Sequence, residues 1–273
     1  MDKRMKKIRM FAVAAIAAVS MSATAQVTYG NDHSYKPTSS HIYGADNENF
    51  GLFYIQYSPS KLRSKTSFGG TSASDSESVN VLSLGYTYHI SLGENLPLYL
   101  CPGGAVQWFF KSKKEKIVDY YAYSSSLLPS EFLNSEYTSK LNMISIKIPI
   151  TLMYSFELGE ALRIEPYAGV YGRVNLWAEK KATYGSGASW KVNPFDKKEI
   201  GEQDVWKRIQ AGWTAGVNFR ITNAFTIGAG YYMDLLKLSS YEADYKNQVG
   251  NMGGTYKASS HFDGFDITLG VNF

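Results

Sequence analysis

Residues 141–177 read LNMISIKIPITLMYSFELGEALRIEPYAGVYGRVNLW, and the order of their side chains decides the fold. Up to Phe156 the even positions are Asn142, Ile144, Ile146, Ile148, Ile150, Leu152, Tyr154 and Phe156. Between them stand Leu141, Met143, Ser145, Lys147, Pro149, Thr151, Met153 and Ser155. After Glu157-Leu158-Gly159-Glu160-Ala161, Ile164, Pro166, Ala168, Val170, Gly172, Val174 and Leu176 alternate with Arg163, Glu165, Tyr167, Gly169, Tyr171, Arg173 and Asn175. Side chains alternate faces along a strand, so this is a β-hairpin with one apolar wall and one largely polar wall. Each arm exceeds the ~9–11 residues that a tilted strand needs to cross a bilayer. The expectation is a membrane barrel.

The same pattern recurs outward from this hairpin. Strands are expected over 50–57, 79–90, 97–110, 206–221, 224–236 and 262–273. With the hairpin they make eight. Connections alternate between long polar stretches (58–78, 111–140, 178–205 and 237–261) and short turns, as outer-membrane barrels place them outside and in the periplasm. Leu92-Gly93-Glu94-Asn95-Leu96 and Leu158-Gly159-Glu160-Ala161-Leu162 echo each other, as two turns on one rim would. Pro102, Pro149 and Pro166 fall inside strands near that rim, where each removes a ladder donor, so a shared bulge or register break is expected there.

The first residues carry an address. Lys3, Arg4, Lys6, Lys7 and Arg9 precede the apolar run Phe11–Met21, and Ala23-Thr24-Ala25 forms a cleavage site, so residues 1–25 read as a signal peptide. Residues 26–48 are polar and aperiodic, a periplasmic N-terminal segment ahead of a barrel over 49–273. The chain has 28 Lys and Arg against 24 Asp and Glu, of which residues 1–25 hold five and one, so the remainder carries 23 of each. With no clustered positive face, no nucleic-acid partner is expected. Cys101 is the single cysteine, which excludes an intrachain disulfide framework and a cysteine metal cluster.

A soluble barrel would also alternate, but with its apolar wall inside. Glycine decides between the two: Gly85, Gly103, Gly169, Gly212, Gly216, Gly228, Gly230, Gly264 and Gly270 share the polar wall. A crowded eight-stranded lumen needs small residues beside large ones, whereas a solvated face gains little from them. Aromatic residues near strand ends (Tyr57, Tyr88, Trp108, Tyr154, Phe156, Trp177 and Phe219) suit interfacial girdles. The fold class is therefore all-β, an eight-stranded antiparallel transmembrane up-and-down barrel.

Ile148-Pro149-Ile150, Glu165-Pro166-Tyr167-Ala168-Gly169 and the terminal Leu269-Gly270-Val271-Asn272-Phe273 carry a family likeness. In these the chain resembles the small outer-membrane barrels, the OmpX-like and opacity-like proteins and the PorT-like barrel domain. The resemblance implies an outer-membrane location. It also implies that Phe265, Leu269, Val271 and Phe273 form a C-terminal signal read by the barrel-insertion machinery. A role in a secretion or assembly apparatus, with a periplasmic partner, is compatible with the PorT-like resemblance.

Lys147, Arg163, Glu165, Arg173, Arg208, Arg220, Asp234 and Asp266 fall on the luminal wall. Enclosed charges must pair or reach water, so a salt-bridge network is expected, with Tyr54, Tyr167, Tyr171 and Tyr232 filling space. Eight strands leave no aqueous channel once side chains are in place, so a plugged lumen is expected, with a narrow ion or solute path as the alternative. No cofactor is implied, and the four histidines (His33, His41, His89 and His261) show no metal-ligand spacing. Ser259, Ser260, His261 and Asp263 can be drawn as a lipid hydrolase constellation, although residues adjacent in sequence more often form a polar loop than a triad. Tyr120, Tyr121, Tyr123 and Trp190 lie in the long connections, where aromatic side chains suit recognition of an extracellular protein or glycan, or extend the strands by packing on one another. The expected role is non-enzymatic, in outer-membrane lipid, with a structural or surface-interaction task.

Overall fold

The computed structural model of the protein describes residues 49–93, 96–116, 136–159, 161–184, 187–200, 205–245 and 254–273. The expected leader and N-terminal segment lie outside these residues, as do Tyr120, Tyr121 and Tyr123. In chain order the elements are β1 (Phe50–Phe68), β2 (Thr71–Ser91), β3 (Leu98–Lys116), β4 (Glu136–Tyr154), β5 (Phe156–Glu157), β6 (Leu162–Tyr184) and β7 (Ser189–Val192). There follow a single helical turn α1 (Lys197–Ile200), β8 (Ile209–Ile221), β9 (Phe225–Asp234), β10 (Ser239–Tyr245) and β11 (Gly254–Asn272).

Eight strands close a ring in the order β1-β2-β3-β4-β6-β8-β9-β11, with β11 pairing back to β1 from Leu52–Asn272 to Ser67–Lys257. Every pairing is antiparallel. Closure removes the open edges that a flat sheet would expose to lipid. The apolar wall points outward. Ile55, Leu84, Val106, Ile148, Ile150, Leu152, Val170, Ile227, Ile267 and Leu269 are exposed on the outside of the protein, where lipid takes the place of water. On the opposite wall Gln56, Ser83, Gln107, Lys147, Arg173, Gln210 and Thr268 are buried. The girdle residues expected from sequence are at the surface, among them Tyr57, Tyr88, Trp108, Phe156, Trp177 and Phe219.

Glycine clears the lumen for tyrosine. A Cβ at Gly85 would strike the Tyr54 ring, one at Gly212 the Tyr171 hydroxyl, and one at Gly216 or Gly230 the Tyr167 hydroxyl.

The barrel departs from the sequence expectation in three places. Residues 58–78 are not a loop: β1 and β2 continue to a two-residue turn at Gly69 and Gly70, whose φ values of 54° and 86° suit glycine. The other long connections are likewise partly strand, with β3 and β4 paired out to Lys116–Glu136 and β10 pairing β11 over residues 239–245. The expected shared bulge at the three prolines is not formed. The β4–β6 ladder runs unbroken through Pro149–Tyr171, and β6–β8 through Pro166–Val217. At Pro102 the β2–β3 ladder skips from Thr87–Gly103 to Ile90–Leu100 without losing register. The register shift lies instead near the outer rim, where Ile144 faces Trp177 and Ser145 faces Asn175, leaving Leu176 as the extra residue of a bulge.

Candidate functional site: the filled lumen

Inward-facing groups assemble into two plugs with a small chamber between them. At the short-turn end the Arg220 guanidinium meets the Glu165 carboxylate at 2.6 Å, and Ser155 Oγ donates to the same carboxylate at 3.3 Å. Both charged side chains are nearly inaccessible. Arg220 also lies 4.1 Å from the centroid of Phe50, whose other neighbour is His89, stacked at 4.1 Å with an interplanar angle of 2°. Tyr99 closes the layer edge-on to Phe50. Arg163 sits at the rim of this plug and pairs with Glu157 at 2.7 Å.

The second plug centres on Arg173 and Asp234, an ion pair whose side chains are both fully buried. Asp234 also accepts from the Tyr171 hydroxyl at 2.6 Å and the Phe262 amide at 3.3 Å. The Arg173 guanidinium lies against the Phe109 and Phe262 rings, with centroids at 5.1 and 5.5 Å. Beyond it an apolar cluster fills the outer end of the barrel, formed by Leu62, Val79, Val81, Phe109, Leu141, Met143, Trp206, Leu238 and Phe262 among others. Stacking a delocalised cation between aromatic faces and an acid offsets part of its desolvation.

Between the plugs lies a cavity of about 70 Å³, with Gln56, Lys147, Tyr167, Thr214, Asp266 and Thr268 in its lining. Lys147 Nζ stands over the Tyr171 and Tyr232 rings at 4.5 and 5.0 Å. Asp266 accepts from Ser58 Oγ at 2.5 Å through one oxygen, and its other oxygen has no partner among the described residues. Tyr232 and Ser60 share a hydroxyl bond of 2.7 Å, and Gln56 donates to Thr268 at 3.0 Å. A chamber this small and polar suits ordered water bridging Lys147 and Asp266.

Six of the eight charged residues expected in the lumen are buried there: Lys147, Glu165, Arg173, Arg220, Asp234 and Asp266. Arg163 belongs to the rim. Arg208 is a correction: β8 begins one residue later, and the Arg208 side chain is outside the lumen. Its guanidinium donates to the Asn175 and Leu176 carbonyls at 3.3 and 2.9 Å and stacks on Phe195, capping backbone groups freed by the bulge. Sequence reasoning missed the apolar outer plug, although Leu141 and Met143 stood on the polar wall as its signal. It also missed Ser58 and Ser60, hidden in a stretch read as loop.

The C-terminal set Phe265, Leu269, Val271 and Phe273 is exposed on one wall, with 65%, 53%, 46% and 44% of each residue accessible, so all four present apolar surface to lipid. Trp190, in β7, is also exposed. Among the described residues, no side-chain hydrogen bond joins Ser260 or Asp263 to another member of the candidate hydrolase set. Ser260 bonds to Ser239 at 2.6 Å. Asp263 is held by Arg63 and by the Tyr231 hydroxyl at 2.9 Å.

Residues 56–240 match the family described as outer membrane protein beta-barrel domain. Curated protein sequences give no match. Among solved structures the chain is similar to Ail, the attachment invasion locus protein of Yersinia pestis, in complex with the heparin analogue sucrose octasulfate: 14% identity, TM-score 0.30, covering 83% of this chain and 99% of that one. It is similar to Neisserial surface protein A at 16% identity and TM-score 0.30, covering 79% and 96%. For the outer membrane protein OprG of Pseudomonas aeruginosa the identity is 8% and the TM-score 0.36, covering 82% and 95%. The family match spans well over half of the residues, and the closed ring with its lipid-facing wall is the architecture that the family name describes. This chain belongs to the outer membrane protein beta-barrel domain family and resides in the outer membrane.

Proposed function

We propose that the protein is a non-enzymatic surface barrel, whose filled lumen makes it a rigid stalk and whose outer strands present a binding face to an extracellular protein or glycan. The observation that carries this reading is where the chain spends its ordered length. Above the apolar band β1 and β2 pair for ten further positions, from Pro59–Asn80 to Phe68–Thr71. β11 and β10 lie beside them, while β3, β4, β6 and β7 form a second group. Paired strands hold side chains at fixed spacing, which lowers the ordering cost of recognition. Tyr184 and Trp190 are exposed on the second group, and Tyr137 packs on Tyr184 at 6.1 Å. On the first, Glu242 pairs with Lys257 at 2.8 Å and holds that lysine above its usual range.

The dispersal of Ser260 and Asp263 to other partners supports the non-enzymatic reading, since nucleophile, base and orienting acid must lie within hydrogen-bond reach. The test uses the folded protein on arrays of glycans and extracellular proteins, beside a variant with residues 66–73 cut back to a Gly-Gly turn and a Tyr184→Ala/Trp190→Ala variant. Binding that falls at least tenfold in one variant, while heat-modifiable gel mobility is kept, supports the proposal. Binding equal in all three forms, or none in any, contradicts it.

A further inference from the structure

Just above the apolar band, three cations occupy successive outward positions of β1: Lys61, Arg63 and Lys65, all exposed. The registers identify their neighbours. On β2 these are Ser78, Ser76 and Ser74, and on β11 they are Asp263, His261 and Ser259. This patch of wall therefore carries three fixed positive charges against one acid, and that acid is buried. Asp263 takes Arg63 Nε at 2.5 Å on one oxygen and Nη2 at 3.0 Å on the other, and it also accepts from Tyr231. Such a fork fixes the plane of the guanidinium and uses one edge of it, leaving Nη1 and one Nη2 hydrogen without a partner among the described residues. Half of the Arg63 side chain remains accessible.

The height of the patch matters. Asp263 is two residues beyond the outward Phe265, roughly 5 Å of climb for a tilted strand. By reaching to Asp263, Arg63 brings its charge down to that level. Below it on the lipid-facing wall Tyr231 packs on its ladder partner Phe265 at 5.1 Å, and Trp213, level with Met233 and Asp263, packs on Tyr231 at 5.6 Å. A fixed guanidinium flanked by two lysines, set above an aromatic surface that faces acyl chains, fits one kind of occupant. We infer that Lys61, Arg63 and Lys65 form a binding site for the phosphate of a lipid headgroup in the outer leaflet, the acyl chains lying over Phe265 and Tyr231. The phosphate takes the free edge of Arg63, Lys61 and Lys65 neutralise it from either side, and the serines of β2 supply hydroxyl donors. The site does not depend on what the outer strands bind.

Native mass spectrometry of the full folded protein, released from detergent, tests this with short-chain phosphatidic acid against phosphatidylcholine of equal chain length. The wild type is expected to retain one phosphatidic acid in preference to phosphatidylcholine. A Lys61→Gln/Lys65→Gln variant, which keeps the Arg63–Asp263 pair and therefore the local fold, is expected to lose about fivefold in affinity per lysine. Lys114→Gln/Lys140→Gln, on β3 and β4, should leave it unchanged. Equal retention of the two lipids, an equal loss in both variants, or no loss in the first overturns the site. Displacement by inorganic phosphate at matched concentration also overturns it, because the site would then take the free anion and not the lipid.

Discussion

Asp234 draws together three strands: it takes a charge from Arg173 on β6, a hydroxyl from Tyr171 and an amide from Phe262 on β11. Removing one member of a buried pair leaves an uncompensated charge, which typically costs about 3–5 kcal/mol. Asp234→Ala is therefore expected to lower stability by roughly that amount, read from urea unfolding of the protein in lipid vesicles. Arg173→Met combined with Asp234→Leu replaces both charges by apolar groups of comparable size and is expected to recover most of the loss. If the double variant is as unstable as the single one, the pair does more than neutralise itself. Most of these charges were legible in the sequence, because strict alternation assigns each residue of a strand to a wall. Arg208 is the exception for a local reason: alternation from Trp206 assigns it to the lumen, but β8 begins at Ile209 and the arginine caps the Asn175 and Leu176 carbonyls beside the bulge.

At the scale of elements, strand identity was readable only where the two walls differ in polarity. Within the bilayer one side meets lipid and the other the lumen, so apolar and polar residues alternate and the eight strands stand out. Above it both faces of β1 and β2 lack that contrast, and residues 58–78 read as serine-rich loop although they pair throughout. Gly69-Gly70 was the remaining signal of a hairpin. The prolines misled for the converse reason: a missing donor interrupts one or two rungs, as around Pro102, without shifting register. At the β8–β9 turn Thr222 and Asn223 hold φ values of 49° and 59°, a conformation that a β-branched residue adopts at a cost. Replacing the pair by Asn-Gly (Thr222→Asn/Asn223→Gly) is expected to raise stability by about 0.5–1 kcal/mol in the same unfolding assay. A loss there would mean that the Thr222 side chain contributes more than its strain removes.

At the scale of the whole molecule, the closed ring encloses two plugs, each built on a buried ion pair. Among the described residues, Arg173–Asp234 and Arg220–Glu165 pair inside the lumen and Glu242–Lys257 on the outer strands. Barrel closure followed from periodicity, and the direction of the walls from glycine's place on the polar one. The division of the lumen into an ionic floor, a small polar chamber and an apolar roof did not, because it depends on which residues of distant strands share a level. That division is the centre of the account, for a lumen filled in this way is expected to give ions no through-path. Single-channel recording from the purified, folded protein in planar bilayers tests it most directly. The filled lumen predicts no steady, reproducible conductance at any applied voltage that the bilayer tolerates. A stable unitary conductance from the wild-type protein would contradict it.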